Sequence, residues 1–172
     1  MRIAAGERDS VPISVRDAEP ADSGAIQAVA DAAWHDTYRS LLSVATIDAF
    51  VAAAYSLDRL GDRIANDVVL VAEEDHDVVA FADAVARADR LTLGAIYARP
   101  DRRRNGAGRS LLDELRRRFP DLPIAADVLL GNRAGEGFYD RLGFIPRERI
   151  ETELFGESVV ERRWWLDTRK PA

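Results

Sequence analysis

The sequence predicts a mixed α/β domain of the α+β type, with one mostly antiparallel sheet of about seven strands flanked by helices. Three observations predict it. Apolar residues alternate in a series of short segments and recur at helical spacing in others. The connections within residues 68–98 are too short for a crossover, so those strands form an antiparallel meander. No linker, low-complexity tract or internal repeat divides the 172 residues, which is the length of one ordinary domain.

Met1–Ser10 is polar and is expected to be a flexible N-terminal segment, with a single domain over residues 11–172. Val11 to Arg16 alternates Val11, Ile13 and Val15 and predicts the first strand. Asp22 or Ser23 can cap the next helix, whose apolar stripe is Ile26, Val29, Ala30, Ala33 and Trp34, with Tyr38 one turn on. A second helical region carries Ile47, Phe50, Val51, Ala54 and Tyr55; Leu57 to Ala65 either continues it or forms a third. Strands follow at Val68–Glu73, Val78–Arg87 and Leu91–Ala98, separated by turns at Asp75-His76-Asp77 and Ala88-Asp89-Arg90. Pro100–Asn105 is a loop. Gly106–Phe119 is a helix with Leu111, Leu112, Leu115 and Phe119 on one face, and Pro120 and Pro123 bracket its exit. Ile124–Leu130 is a strand, Arg133–Leu142 a helix and Gly143 its C-terminal cap. Phe144–Phe155 and Ser158–Leu166 make a last hairpin around Gly156, and Trp164 and Trp165 put one ring on each face of the sheet. The outer ring suits a partner chain, so a homodimer is a possibility at this end.

Composition removes several function classes. There is no cysteine, which excludes disulfides, thiolate metal sites and a cysteine nucleophile. The two histidines, His35 and His76, are far apart, and no metal is expected. No apolar run approaches the roughly 20 residues of a membrane helix. Met1–Ser10 lacks the apolar core of a signal peptide. A cytoplasmic protein with no membrane partner is therefore the expectation. The net charge of −6 argues against a nucleic-acid partner and favours cationic ones such as amines, though it also simply aids solubility.

The most informative stretch is Ile96-Tyr97-Ala98-Arg99-Pro100-Asp101-Arg102-Arg103-Arg104-Asn105-Gly106-Ala107-Gly108-Arg109-Ser110. A strand runs into a basic, glycine-containing loop that opens directly into an amphipathic helix. The first turn of a helix has unpaired N–H groups and a partial positive charge. Small residues let an anion approach them, so a phosphate fits there. There is no Gly-Lys-Ser/Thr run, which excludes a nucleoside-triphosphatase loop. Leu111 stands where a dinucleotide fingerprint has its third glycine. Local physics alone leaves a solvated basic turn equally open.

Arg103-Arg104-Asn105-Gly106-Ala107-Gly108 resembles the Arg/Gln-x-x-Gly-x-Gly/Ala signature of the GNAT superfamily of N-acetyltransferases. Asn132-Arg133-Ala134 and Tyr139 through Gly143-Phe144 are similar to that family's Asn-x-x-Ala and Tyr-x-x-x-Gly-Phe segment, in the right order. With the element order, the resemblance covers Val11 to Leu166. It implies a GNAT-like acyl-CoA N-acyltransferase fold and acetyl-CoA as acyl donor. It implies that Ile96, Tyr97 and Ala98 contact pantetheine, and that Arg103, Arg104, Asn105, Gly106, Ala107 and Gly108 hold the pyrophosphate. Arg109 and Ser110, in the helix's first turn, and Asn132, at a strand end, are further cofactor-binding residues by the same resemblance. Tyr139 stands where the family commonly places a general acid, although a core aromatic fits there too. A phenol with pKa of about 10 can protonate a leaving thiolate of pKa about 8.5. A backbone N–H around Tyr97 or Ala98 can stabilise the developing oxyanion.

One departure matters. Many relatives use a fourth-strand glutamate to deprotonate the amine, and Thr92 occupies the matching position. Asp83, Asp127, Glu73 and His35 are the alternatives, as is a water chain to bulk solvent. Trp34, Tyr38 and Tyr55 form either an acceptor pocket or plain core. The expected activity is acetyl transfer from acetyl-CoA to an amine of a small molecule or peptide. The competing readings are a non-catalytic CoA-binding module of the same fold and, more distantly, a nucleic-acid binder using Arg102, Arg103, Arg104 and Arg109. O-acetyl or longer-acyl transfer also stays open, because the loop reads only the phosphate end of CoA.

Overall fold

The alternation around Val15 forms β1 (Ser14–Asp17) in the computed structural model, which describes residues 12–167. Met1–Ser10, Val11 and the last five residues lie outside the described residues. A short 3-10 turn, Pro20–Asp22, leads into α1 (Ser23–Tyr38). Asp22 does not cap α1; its carboxylate instead accepts from the Glu19 N–H and pairs with Arg16. The second and third helical regions are separate helices, α2 (Val44–Ala54) and α3 (Leu57–Asn66). Each starts on its own serine: Ser43 accepts from Thr46 N–H and Ser56 from Arg59 N–H.

The meander is β2 (Val68–Glu74), β3 (Asp77–Ala86) and β4 (Leu91–Ala98). After α4 (Ala107–Arg118) come β5 (Ile124–Leu129), α5 (Arg133–Arg141), β6 (Ile145–Leu154) and β7 (Glu157–Leu166). Gly143, with φ +85°, ends α5 as the sequence suggests. The seven strands form one sheet in the order β1-β2-β3-β4-β5-β7-β6, with β4 and β5 the only parallel pair among the described residues.

Two cores cover the two faces. Leu70, Ala82, Leu93, Ile124 and Val128 pack with Leu111, Leu112 and Leu115 of α4 and with Tyr139 of α5. Val69, Val71, Phe81 and Leu129 pack with Ile26, Trp34, Ile47 and Leu60 of α1 to α3. Coverage on both faces is why β3 is buried along most of its length.

The feature that makes a site is a break in this sheet. Asp83 pairs with Ala95 and Ala84 with Leu93, so Gly94 is left unpaired as a β-bulge. Leu93 faces the α4 core while Ala95 faces the α1 core, although they are two residues apart. In a regular strand they would share a face; the extra residue switches the phase. The parallel ladder with β5 ends just before the bulge, at Leu93 opposite Ala126. Beyond it, β4 follows β3 and β5 follows β7, and the sheet opens between them.

Candidate active site

The opened edge has a defined chemistry. Arg99 N–H donates to Val79 O at 2.8 Å, which sets the phase of the β3–β4 ladder. Hydrogen-bonded pairs alternate in an antiparallel ladder. The Tyr97 backbone is therefore bonded to Phe81, and the N–H and C=O groups of Ile96 and Ala98 face the opening. On the far side, Leu130 N–H donates to Val160 O at 2.8 Å. By the same alternation, the backbone groups of Asp127 and Leu129 face it from β5. Tyr97 turns its ring into the α1 core, where its hydroxyl lies 3.4 Å from that of Tyr38. Burial pushes the Tyr97 phenol well above its ordinary pKa.

At the end of β4 the chain turns through Pro100–Arg102 into the loop before α4. Arg104 and Gly106 have φ values of +65° and +92°. Left-handed residues among ordinary ones gather successive amides on the inside of a turn, forming an anion-binding nest. The first helical bond is Ser110 N–H to Gly106 O, so the Gly108 and Arg109 amides precede it. Asn105 Oδ1 accepts from Ala107 N–H at 3.1 Å, and Asn105 Nδ2 is buried without a partner. Such an orphan donor is uncommon, and an anion at this helix start would satisfy it. A side-chain carbon at Gly106 would meet nothing within 4 Å, so the loop surface there is bare. Gly108 serves a different end: its missing Cβ makes room for the Phe138 ring, which would lie 3.1 Å from it. These residues fit a bound pyrophosphate.

Arg103 behaves unlike the rest of the loop. Its guanidinium reaches α1, donating to Asp36 Oδ2 at 2.6 Å and Thr37 Oγ1 at 3.0 Å. It thereby spans one side of a polar cleft of about 390 Å³, also lined by Ser40, Gly131 and Asn132. Arg102 pairs with Glu74 and Arg109 lies near Asp113. Asn132 Oδ1 accepts from Gly135 N–H at 3.0 Å and so caps α5, while its Nδ2 lies 3.4 Å from the Tyr38 hydroxyl.

Tyr139 comes from the α4 face of the sheet and Tyr38 from the α1 face. The Tyr139 ring packs on Phe138, Phe144 and Trp164 at 5.0 to 6.5 Å. Its hydroxyl has no hydrogen-bond partner among the described residues. Burial raises its pKa above the ordinary value, so it stays protonated at neutral pH.

The four candidate bases are each engaged. Asp83 is buried against Arg63 at 3.0 Å, beside the Gly94 bulge. Burial raises its pKa and Arg63 opposes the shift. Asp127 accepts two bonds from Arg163, at 2.7 and 2.8 Å. Glu73 is held by Arg16. His35 is on the outer side of α1, bonded to the Asp31 carbonyl and to Asp48, which together raise its pKa. Thr92 faces the α1 side of β4. Trp34, Tyr38 and Tyr55 are 3 to 6% exposed and belong to the core.

Two features escape the sequence patterns. A lone glycine within a strand signals a bulge, and Gly94 is that signal. Glu161 of β7, opposite Leu129 of β5, has no sequence signal of its own. Only the Val159, Glu161, Arg163 alternation, placed beside Asp127, brings it to the α1 face next to the opening. Among the described residues there is no group of three or more metal-ligating side chains, and no helix is long and apolar enough to cross a membrane.

An open mixed sheet, split between its parallel pair and followed by a glycine-containing helix start, is the architecture of the acyltransferase class of α/β fold. Residues 65–146 match the family model described as acetyltransferase (GNAT) domain. That segment holds the bulge, the loop and Tyr139, and the chain as a whole has the GNAT acyltransferase fold. Solved structures agree in fold. The PaiA N-acetyltransferase of Thermoplasma acidophilum, in complex with coenzyme A, superposes with TM-score 0.75 at 22% identity, over 88% of this chain and 98% of that one. The ribosomal-protein-S18-alanine N-acetyltransferase of Escherichia coli gives 0.71 at 17% identity, over 94% and 97%. YncA of Salmonella typhimurium, solved with its cofactor acetyl-CoA, gives 0.65 at 22% identity, over 94% and 96%. No curated protein sequence matches this chain.

Proposed function

We propose that this chain transfers an acetyl group from acetyl-CoA to a primary amine of a small molecule or peptide, by direct attack on the thioester. One observation carries the proposal. The free edge of β4 leads from the split in the sheet to the bare helix start at Gly106, with Tyr139 packed on the α4 face of the same sheet. A phosphate-bearing donor held at that helix start can lay its amide-containing arm along the edge as an added strand. Two proteins with this fold were solved with coenzyme A and with acetyl-CoA, which supports a CoA thioester as the donor.

Acetyl-CoA, when bound, supplies the acetyl thioester as the electrophile. The Ile96 and Ala98 amides, fixed on the open edge, are the donors for the oxyanion that develops on attack. Tyr139 holds its proton for the leaving sulfur, and its lack of a competing partner leaves the hydroxyl free to donate it. Asn132 positions Tyr38, and Tyr38 positions the Tyr97 ring beneath the opening.

The test is acetyl-CoA turnover with a panel of primary amines and amino-terminal peptides, read as thiol release. Thiol release that requires an amine supports the proposal. Acetyl-CoA binding without turnover on any amine would make the chain a CoA-binding module instead.

A further inference from the structure

The acid side of the site has Tyr139, but the fourth-strand position that would serve as base is Thr92. A base must be a carboxylate or imidazole that faces the opening and is not already committed to a cation. On the α1 face, Asp83 is taken by Arg63, Asp127 by Arg163 and Asp36 by Arg103. Glu157 caps the start of α2 through Ser43 N–H. Glu161 remains. It is half-buried on β7, opposite Leu129 where the sheet is split, and it has no ion pair or hydrogen bond among the described residues. Its carboxylate is therefore uncommitted on the face where the other acids are engaged.

Resting on the acetyltransferase reading above, we infer that Glu161 is the base that takes the proton from the acceptor amine. The groups facing it are Asp127 of β5, Arg163 of its own strand and Tyr38 of α1, with Ile150 of β6 opposite. Burial raises its pKa, the Asp127 charge adds to this, and Arg163, engaged by Asp127, opposes it only in part. That moves a carboxyl toward the range where it serves as a base at neutral pH. The step balances. Glu161 takes one proton from the ammonium, and the nitrogen lone pair forms the N–C bond. The C–S bond breaks, Tyr139 protonates the sulfur, and the second proton shed by nitrogen restores Tyr139.

The experiment compares two small acceptors on the full chain: ethylamine, protonated at pH 7, and trifluoroethylamine, largely neutral there. Glu161→Gln is expected to lower kcat/KM for ethylamine by about 10²-fold. Trifluoroethylamine should change by no more than about threefold, because a neutral amine needs no base. The ratio of the two within one preparation does not depend on the folded fraction, and Glu161→Asp should keep most of the preference. Equal losses on both amines, or none, would overturn the assignment. So would a wild-type protein that acetyl-CoA stabilises but that acetylates neither amine. Absence of any acetyl-CoA stabilisation would instead defeat the donor site itself.

Discussion

Replacing Tyr139 by phenylalanine separates a catalytic hydroxyl from a core aromatic. The ring sits against Phe138 at 5.3 Å, Phe144 at 5.0 Å and Trp164 at 6.5 Å, and phenylalanine keeps all three contacts. The hydroxyl has no protein partner to lose. Burying an unpartnered hydroxyl costs about 1–3 kcal/mol on mutational scales, so its removal leaves stability unchanged or slightly higher. Truncation to alanine would instead cost about 3–5 kcal/mol through the cavity. The rate behaves differently, because a positioned general acid contributes about 10² to 10⁴-fold. Tyr139→Phe is therefore expected to lower kcat by at least about 10²-fold while the melting temperature holds. The phenol is raised by burial and stays protonated across the assay range, so the deficit should be flat from about pH 6 to about pH 9. Thiol release at saturating acetyl-CoA, followed beside a thermal melt, gives both numbers. A kcat within about threefold of wild type, or a loss matched by a falling melting temperature, would refute the acid assignment.

Three other perturbations follow from the same structure. Asp83→Ala leaves the partly buried Arg63 unpaired under the bulge and is expected to cost about 3 kcal/mol by denaturant titration, whereas Asp83→Asn, which keeps a hydrogen-bonding group, costs less. Gly135→Ala would put a carbon 2.6 Å from Asn132 Nδ2, so the α5 cap shifts. A loss of about 1–2 kcal/mol should accompany lower kcat, because Asn132 also supports Tyr38. Asp17, Asp22 and Glu114 all have pKa values lowered by hydrogen bonds from Arg118, Arg16 and Arg117 respectively, Glu114 to about 2. Their contribution is present above the unfolded carboxylate range near pH 4 and is lost as pH falls through the folded values. Arg118→Ala, which strips a partner from both Asp17 and Glu114, should flatten that acid limb in a pH series of melts, and added salt should flatten it further.

Much of this was legible in the sequence, and for physical reasons. Periodicity is a local property, so the order of strands and helices, the caps at Gly143 and the turn at Gly156 could be read directly. The glycine-containing loop before α4 was legible because its residues are consecutive. What the sequence hid depends on pairing across distance. Asp127 looks like a free carboxylate until β7 places Arg163 on it, 36 positions away. Asp83 looks the same until α3 supplies Arg63. Arg103 reads as a phosphate ligand, yet its side chain reaches the end of α1. Glu161 sits in a strand rich in charge and shows no pattern that singles it out. It becomes distinctive only when Asp83, Asp127 and Asp36 are each seen to hold an arginine and Glu157 to cap α2. The split between β4 and β5 was signalled by Gly94, but its direction follows from the register with β3 and β5 together.

Acetyl-CoA binding at the α4 start underlies every step proposed above, and a thermal melt with and without acetyl-CoA measures it. At about 100 times Kd, binding adds about 2.7 kcal/mol, or roughly 5–10 °C for a domain of this size. ATP at the same concentration serves as the control for phosphate alone. Gly106→Trp, at φ +92°, costs about 1–2 kcal/mol of backbone strain, although its Cβ meets nothing within 4 Å. It should melt somewhat lower and gain nothing from acetyl-CoA. A rise in wild type that this variant loses is the predicted result. No rise at millimolar acetyl-CoA, or an equal rise in the variant, would contradict the assignment of the site.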